Sequence, residues 1–174
     1  KPVRIGNQAH EHLQHDVYGQ IVLPLVQAFY DQRLLRSGTV DDFYALEKVG
    51  ERAFAMHDQT DAGLWEFRTI ARVHTYSSVM CWAACDRLAK AAKHLGLTSR
   101  VESWASRADI IRERIEKEAF LPEEGRFAAS FGGTELDASL LQLTDLGFLD
   151  ARDPRQVATF DAIERDLKKG PYLF

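Results

Sequence analysis

Glu66 stands between Trp65 and Phe67 in the stretch TDAGLWEFRTI, with Arg68 two places on. A carboxyl group held among aromatic rings loses hydration, which disfavours its charged form, and a glutamate kept protonated near neutral pH is suited to general-acid chemistry. The same rings offer apolar faces on which a sugar can stack its C–H groups, while a cation such as Arg68 can meet its hydroxyls. The plain alternative is that Trp65 and Phe67 pin a loop and Glu66 faces water.

Two further clusters carry polar chemistry. His10, Glu11, His12 and His15 precede Asp16 in HEHLQHDVYG, and His74 and Tyr76 stand in HTYSS. Metal binding would want imidazoles on one face of a helix. His12 and His15 are three apart, but a complete ligand set with fixed geometry is not visible, so no metal or other cofactor is expected. The cluster reads instead as a polar entry to a helix. Cys81 and Cys85 lie inside the apolar run VMCWAAC and read as a buried, reduced pair.

The elements that must position these groups are helical. Apolar spacing predicts helices near 14–36, 41–57, 75–95, 98–119, 135–148 and 154–169, joined by loops carrying Gly, Pro, Asp or Thr. One stretch, GRFAASFGG at 125–133, has the pattern of a short hairpin. The first, third and fifth helices are apolar around most of their circumference, as inner helices would be. The second, fourth and sixth carry one stripe each: Phe43, Leu46 and Ala53; Val101, Trp104, Ala108, Ile111 and Ile115; Val157, Phe160, Ile163 and Leu167.

Polar entries to the inner helices begin near residues 14, 74 and 135, so a unit of about sixty residues repeats. Concentric inner and outer layers follow, an α/α toroid or part of one, with the three entries and the Glu66 loop converging on one mouth. A plain helical array is the alternative.

Bulk properties narrow the partners. The chain has 174 residues, 45% hydrophobic and 28% charged, enough for one domain with a core. A net charge of -4 with scattered Lys and Arg leaves no footprint for nucleic acid or an anionic membrane. No stretch approaches the roughly 20 apolar residues of a membrane span and no apolar signal core opens the chain, so a cytoplasmic location is expected. The chain begins without Met and reads as a piece of something longer.

The runs GNQAHEHLQHDVYGQIV, DAGLWEFR and HTYSSVMCWAACDRLAK, in this order, resemble glycoside hydrolase family 15, the glucoamylase and bacterial glucoamylase-like or trehalase-like enzymes. The similarity continues through EEGRFAASFGGTELDASLLQLTDLGFL and ATFDAIERDL, so it covers nearly the whole chain. The resemblance implies an all-α catalytic domain, a ring of six inner and six outer helices. Residues 1–174 would form a single segment supplying about half of that (α/α)6 toroid and lacking its C-terminal half. It also implies hydrolysis of α-glucosidic substrates with inversion, whether maltooligosaccharides, isomaltooligosaccharides or trehalose.

By the same resemblance Glu66 is the general acid. Asp16, with His15 beside it, binds the hydroxyls of the terminal glucose, Trp65 is a pocket aromatic, and Arg68 is a sugar ligand. His74 and Tyr76 stand near the same mouth.

Departures from the family pattern matter as well. The family's general base comes from a late glutamate with no equivalent here; Glu135 lies at the right mouth but does not match its position, and the two carboxylates of an inverting site lie roughly 6.5–9.5 Å apart. Pro24 falls inside the first helix, and Ala129 replaces a frequent polar side chain. The expected partner is therefore an α-glucoside or oligosaccharide, together with the missing half of the ring or a second copy through the open edge. By itself the chain would be incomplete and inactive. A catalytically silent carbohydrate-binding or structural helical fragment is the alternative.

Overall fold

The computed structural model describes residues 12–67 and 70–173. Its helices are α1 (Asp16–Leu25), α2 (Val40–Met56), α3 (Thr75–His94), α4 (Thr98–Ala119), α5 (Gln142–Asp145) and α6 (Pro154–Leu167), with 3-10 turns at Val26–Phe29 and Ala138–Leu141. Two minimal antiparallel hairpins complete it, β1 (Phe120–Leu121) with β2 (Arg126–Phe127) and β3 (Lys168–Lys169) with β4 (Tyr172–Leu173).

The centre is α3, buried on nearly every side from Thr75 to Ala92. α1, α2 and α4 all pack against it. α1 can lie close because Gly19 has no side chain: a Cβ there would stand 2.5 Å from the carbonyl oxygen of Met80, and backbone cannot give way. α2 starts with a capping box, in which the Thr39 hydroxyl accepts from the Asp42 N–H while the Asp42 carboxylate accepts from the Thr39 N–H. α2 meets α3 and α4 through Gly50, against Leu88 and Trp104. The buried Trp104 Nε1–H donates to Glu47 at 2.6 Å, which leaves no polar atom of that ring unpaired.

α3 is surrounded as an inner helix, and α2 and α4 bury one stripe each as outer ones. α1, expected to be buried on several sides, buries only Asp16, Gly19 and Val22, and there are differences elsewhere. The first helix ends at Leu25 rather than near 36. Pro24 has no N–H to bond the carbonyl one turn back, and the chain tightens into 3-10 geometry at Val26–Phe29. The fifth is not one helix over 135–148 but a 3-10 turn running into the four residues of α5, closed by Gly147 in the left-handed region at φ 74°. Its apolar side chains Leu140, Leu143, Leu146, Phe148 and Leu149 are nonetheless buried.

The stripe of α6 is displaced. Ile163 is buried and Leu167 packs against the core, but Val157 and Phe160 are exposed while Gln156 and Thr159 are buried. The cause is polar: the Phe127 N–H of β2 needs an acceptor and finds the Thr159 hydroxyl at 3.0 Å, and that hydroxyl donates to the Arg155 carbonyl at 2.7 Å. The hairpin itself pairs Phe120 with Phe127, so it begins at the end of α4 and reaches only the start of 125–133.

Leu13, just before α1, and Val17, Ile21 and Leu25 within it recur every four residues and are all exposed. Such a row stays apolar in water only at a cost. The isolated 174-residue chain is expected to self-associate through it, and Val17→Lys with Ile21→Lys to restore a monomer, as read by sedimentation velocity; a monomeric parent chain would contradict this.

Candidate active site

The chemistry-bearing loop is held at its feet by backbone. Asp61 and Arg72 exchange hydrogen bonds, the Asp61 N–H donating to the Arg72 carbonyl at 2.9 Å and the Arg72 N–H to the Asp61 carbonyl at 3.3 Å. Inside the loop the Phe67 N–H donates to the Ala62 carbonyl at 2.9 Å and the Glu66 N–H to the Gly63 carbonyl at 3.2 Å. This nested pair is the arrangement that ends helices with a glycine in the left-handed region.

Here that position holds Glu66, at φ 53°, the only non-glycine with positive φ among the described residues. A side chain there costs of order 1–2 kcal/mol, and such strain gathers at functional sites.

Two clamps hold the turn. The Phe67 ring stacks on His74, centroids 5.9 Å apart and planes at 22°. Gly63, at φ 67°, lies over the same imidazole, where a Cβ would meet the ring at 2.8 Å. On the far side the Trp65 Nε1–H donates to Asp137 Oδ2 at 2.8 Å, while Asp137 Oδ1 accepts from the Ser139 N–H at 2.8 Å and caps the 3-10 turn. The loop and the 135–139 segment thereby enclose a cleft of about 210 Å³ lined by Trp65, Phe67, His74, Tyr76, Glu135 and Asp137.

Burial of Glu66 among the rings is not found. Trp65 is 56% exposed, Phe67 is exposed, and the glutamate between them is exposed too. The turn projects these residues away from the core, held by its two clamps and open to solvent between them.

The other sequence candidates divide into two groups. Trp65, His74 and Tyr76 come together in the cleft. His74 is the residue before α3, and its Nε2 is enclosed without a hydrogen-bond partner, so the polar edge of the ring does not face open solvent. His15 and Asp16 sit at the start of α1, both buried. The His15 ring stacks on Tyr18, centroids 6.3 Å apart, and its carbonyl accepts from the Cys81 thiol. Arg68, His10 and Glu11 lie outside the described residues.

Asp16 is 1% exposed. Its Oδ2 accepts from Gln20 and its Oδ1 has no partner. Burial raises its carboxyl above the ordinary range, and the neighbouring Asp61 adds to the effect. Tyr76 is raised by burial and then by Asp16, which places its hydroxyl within the field of that carboxylate. Burial likewise raises both thiols, Cys85 to about 12, so neither is a nucleophile at neutral pH.

Glu135 pairs with Arg72, and that hydrogen-bonded cation holds its carboxyl below the usual range, which weakens it as a base. Ala129 joins this wall through its backbone, donating to the Glu135 carbonyl and accepting from the Thr75 N–H. No group of three or more His, Cys, Asp or Glu side chains among the described residues is placed to hold a metal. No described helix is long and apolar enough to cross a membrane.

Three site residues escape the sequence reading. Asp61, Arg72 and Asp137 each act on a neighbour distant in sequence, through a bond that periodicity does not show. The one signal was Asp137 within the polar entry ELDAS.

The sequence profile described as Glycosyl hydrolases family 15 matches residues 1–173. A trehalase of Thermoplasma volcanium is 34% identical over 177 residues, covering 100% of this chain and 27% of its own length. A trehalase of Thermoplasma acidophilum is 36% identical, covering 100% of the chain and 29% of its own length. The trehalase of Mycobacterium tuberculosis is 36% identical over 168 residues, 96% of this chain and 24% of its own. The chain thus spans about a quarter of the length of these relatives, from 24% to 29%.

A solved structure of a glycosidase variant superposes with a TM-score of 0.80 at 17% identity, covering 98% of this chain and 44% of that one, which shows the shared fold. Alternating helices around a buried α3, a profile matched almost end to end and relatives above 30% identity across the chain together establish that it belongs to glycosyl hydrolases family 15, as an all-α portion of an (α/α)6 toroid.

Proposed function

We propose that the protein containing this chain hydrolyses α-glucosidic bonds with inversion, that trehalose is its first substrate, and that Glu66 is the general acid. The observation that carries the assignment is the strained position of Glu66. A turn that favours glycine holds a glutamate instead, at the rim of an aromatic cleft, and stability alone gives no reason for that choice. Trehalose comes first because the relatives above are trehalases; maltooligosaccharides and isomaltooligosaccharides belong to the same chemical class.

In this account the cleft receives the sugar against Trp65, whose indole is fixed in plane by Asp137. Glu66 donates a proton to the glycosidic oxygen as the bond to the anomeric carbon breaks. A carboxylate on the opposite face of the sugar removes a proton from the attacking water. That second carboxylate lies outside this chain, because Glu135 is engaged with Arg72. The ring's remaining helices also supply the cover that gives the exposed Glu66 a drier setting. Asp16 is assigned to a hydroxyl of the bound glucose, a contact that requires its enclosed, unpartnered Oδ1 to be uncovered, with Tyr76, His15 and Arg68 assigned to the same sugar.

A silent sugar-binding role is the second reading, and it draws on the exposed Trp65 indole, a stacking platform that works without chemistry.

Glucose release from trehalose, maltose and isomaltose by the full natural chain separates the two. Glu66→Gln is expected to lower release from the preferred sugar about a hundred-fold or more; release that survives would remove Glu66 from the acid role. Glu66→Gly is expected to abolish release while raising stability by about 1 kcal/mol, since the left-handed turn is relieved. Chemical denaturation checks this, and a less stable variant would show that Glu66 anchors the loop.

Asp16 gives a pH test. Its carboxyl binds the proton more tightly folded than unfolded, so its stability contribution is most favourable at low pH and declines as pH rises from the unfolded value through the folded one. Asp16→Asn is therefore expected to stabilise the protein more at about pH 7 than at about pH 3, and an equal effect at both, in paired denaturation curves, would contradict it.

A further inference from the structure

Asp61 has no part in the chemistry above, yet it is 2% exposed and bonded to three segments of the site. Its Oδ2 accepts from the His15 N–H at the entry to α1 and from the Ser77 hydroxyl in the first turn of α3, both at 2.8 Å. Its own backbone makes the rung with Arg72 that closes the feet of the Glu66 loop. One side chain thereby ties the start of α1, the start of α3 and the loop into a single frame. The adjoining Ala62 N–H donates to the Leu13 carbonyl at 2.8 Å and the Gln14 amide donates to the Gly63 carbonyl at 3.2 Å, so the loop is laced to the α1 entry at three successive residues.

The arrangement is costly as a mere structural bracket. Asp61 Oδ1 is buried without a partner, and Asp16 Oδ1, one residue past the bonded His15, is buried without one as well. Two nearby carboxylates enclosed in this way oppose folding. A bracket chosen for stability alone would use an apolar contact. What the accepting oxygen provides is a fixed relation between the residue proposed to hold the sugar, Asp16, and the residue proposed to protonate it, Glu66.

We infer that Asp61 is a positioning residue of this active site, acting through the His15 N–H, the Ser77 hydroxyl and the Arg72 rung to hold Asp16 and Glu66 in register. The inference rests on the reading of Glu66 and Asp16 given above. Since Asp61 does not touch substrate in this account, its loss misplaces the acid rather than removing a sugar contact, and a misplacement of about 1 Å lowers turnover about a hundred-fold.

The test uses the full natural enzyme, assayed on its preferred disaccharide well below the melting temperature of every variant, with Glu66→Gln in parallel. Asp61→Ala is expected to lower kcat about a hundred-fold with little change in KM. Asp61→Asn keeps an oxygen acceptor for His15 and Ser77 and is expected to recover most of that loss. A folded Asp61→Ala enzyme with parental kcat would overturn the inference, as would an Asp61→Asn enzyme no better than Asp61→Ala, because the accepting oxygen would then not be what matters.

If Asp61→Ala does not fold, Ser77→Ala removes one of the two bonds and leaves the carboxylate in place. It is expected to lower kcat about five-fold, and an unchanged kcat counts against the inference. Failure of Glu66→Gln to reduce activity would instead sink the underlying assignment of the acid, so the two failures are told apart.

Discussion

Fourteen of the twenty side chains of α3 are buried, so this helix has almost no face left for water and must be surrounded. That requirement organises the rest. α1 approaches to backbone contact at Gly19, α2 and α4 cover the outer sides, and the polar first turn of α3 is left at the one end where groups meet from several segments. Thr75, Ser77 and Ser78 are buried in that turn, and each spends its hydroxyl on a neighbouring segment: Thr75 on Ala128, Ser77 on Asp61, Ser78 on His57. A buried helix end has to find such partners, and in finding them it draws the hairpin, the Glu66 loop and the end of α2 to the mouth.

The site therefore combines a rigid base with a strained rim. Its base is the α3 entry, bonded on all sides. Its rim is a turn whose hydrogen bonds close around a left-handed glutamate, clamped by one ring stack and one indole bond. Rigidity below and strain above suit a group that must meet a substrate at a set angle, and the energetic cost of the turn is borne by the packing beneath it.

Periodicity made the packed helices legible. α2, α3 and α4 lie within a residue of their expected bounds, since each combines a sustained apolar pattern with an identifiable stop. The fifth segment misled because LDASLLQLTDLGFL is apolar for burial, not for helix. Its leucines reach the core from successive turns, and an apolar run has no period that tells these cases apart. In α6 a tertiary hydrogen bond outweighed the hydrophobic stripe. Thr159 is wanted inside by the Phe127 N–H, which turns Phe160 out. The cleft was legible where a motif carried it, as with Trp65, His74 and Tyr76, which come together there. It was illegible where the geometry depends on a pair far apart in sequence: nothing near Asp61 announces Ser77, and nothing near Trp65 announces Asp137.

The central claim is that Glu66 is presented at this cleft to protonate a glycosidic oxygen. A crystal structure of the full natural enzyme carrying Glu66→Gln, with trehalose bound, tests it most directly. The account predicts a glucose ring against Trp65, with the side-chain amide introduced by that substitution within about 3.2 Å of the bridging oxygen. A sugar seated away from Trp65, or a side chain at position 66 directed to solvent with another acid at the bridging oxygen, would contradict it.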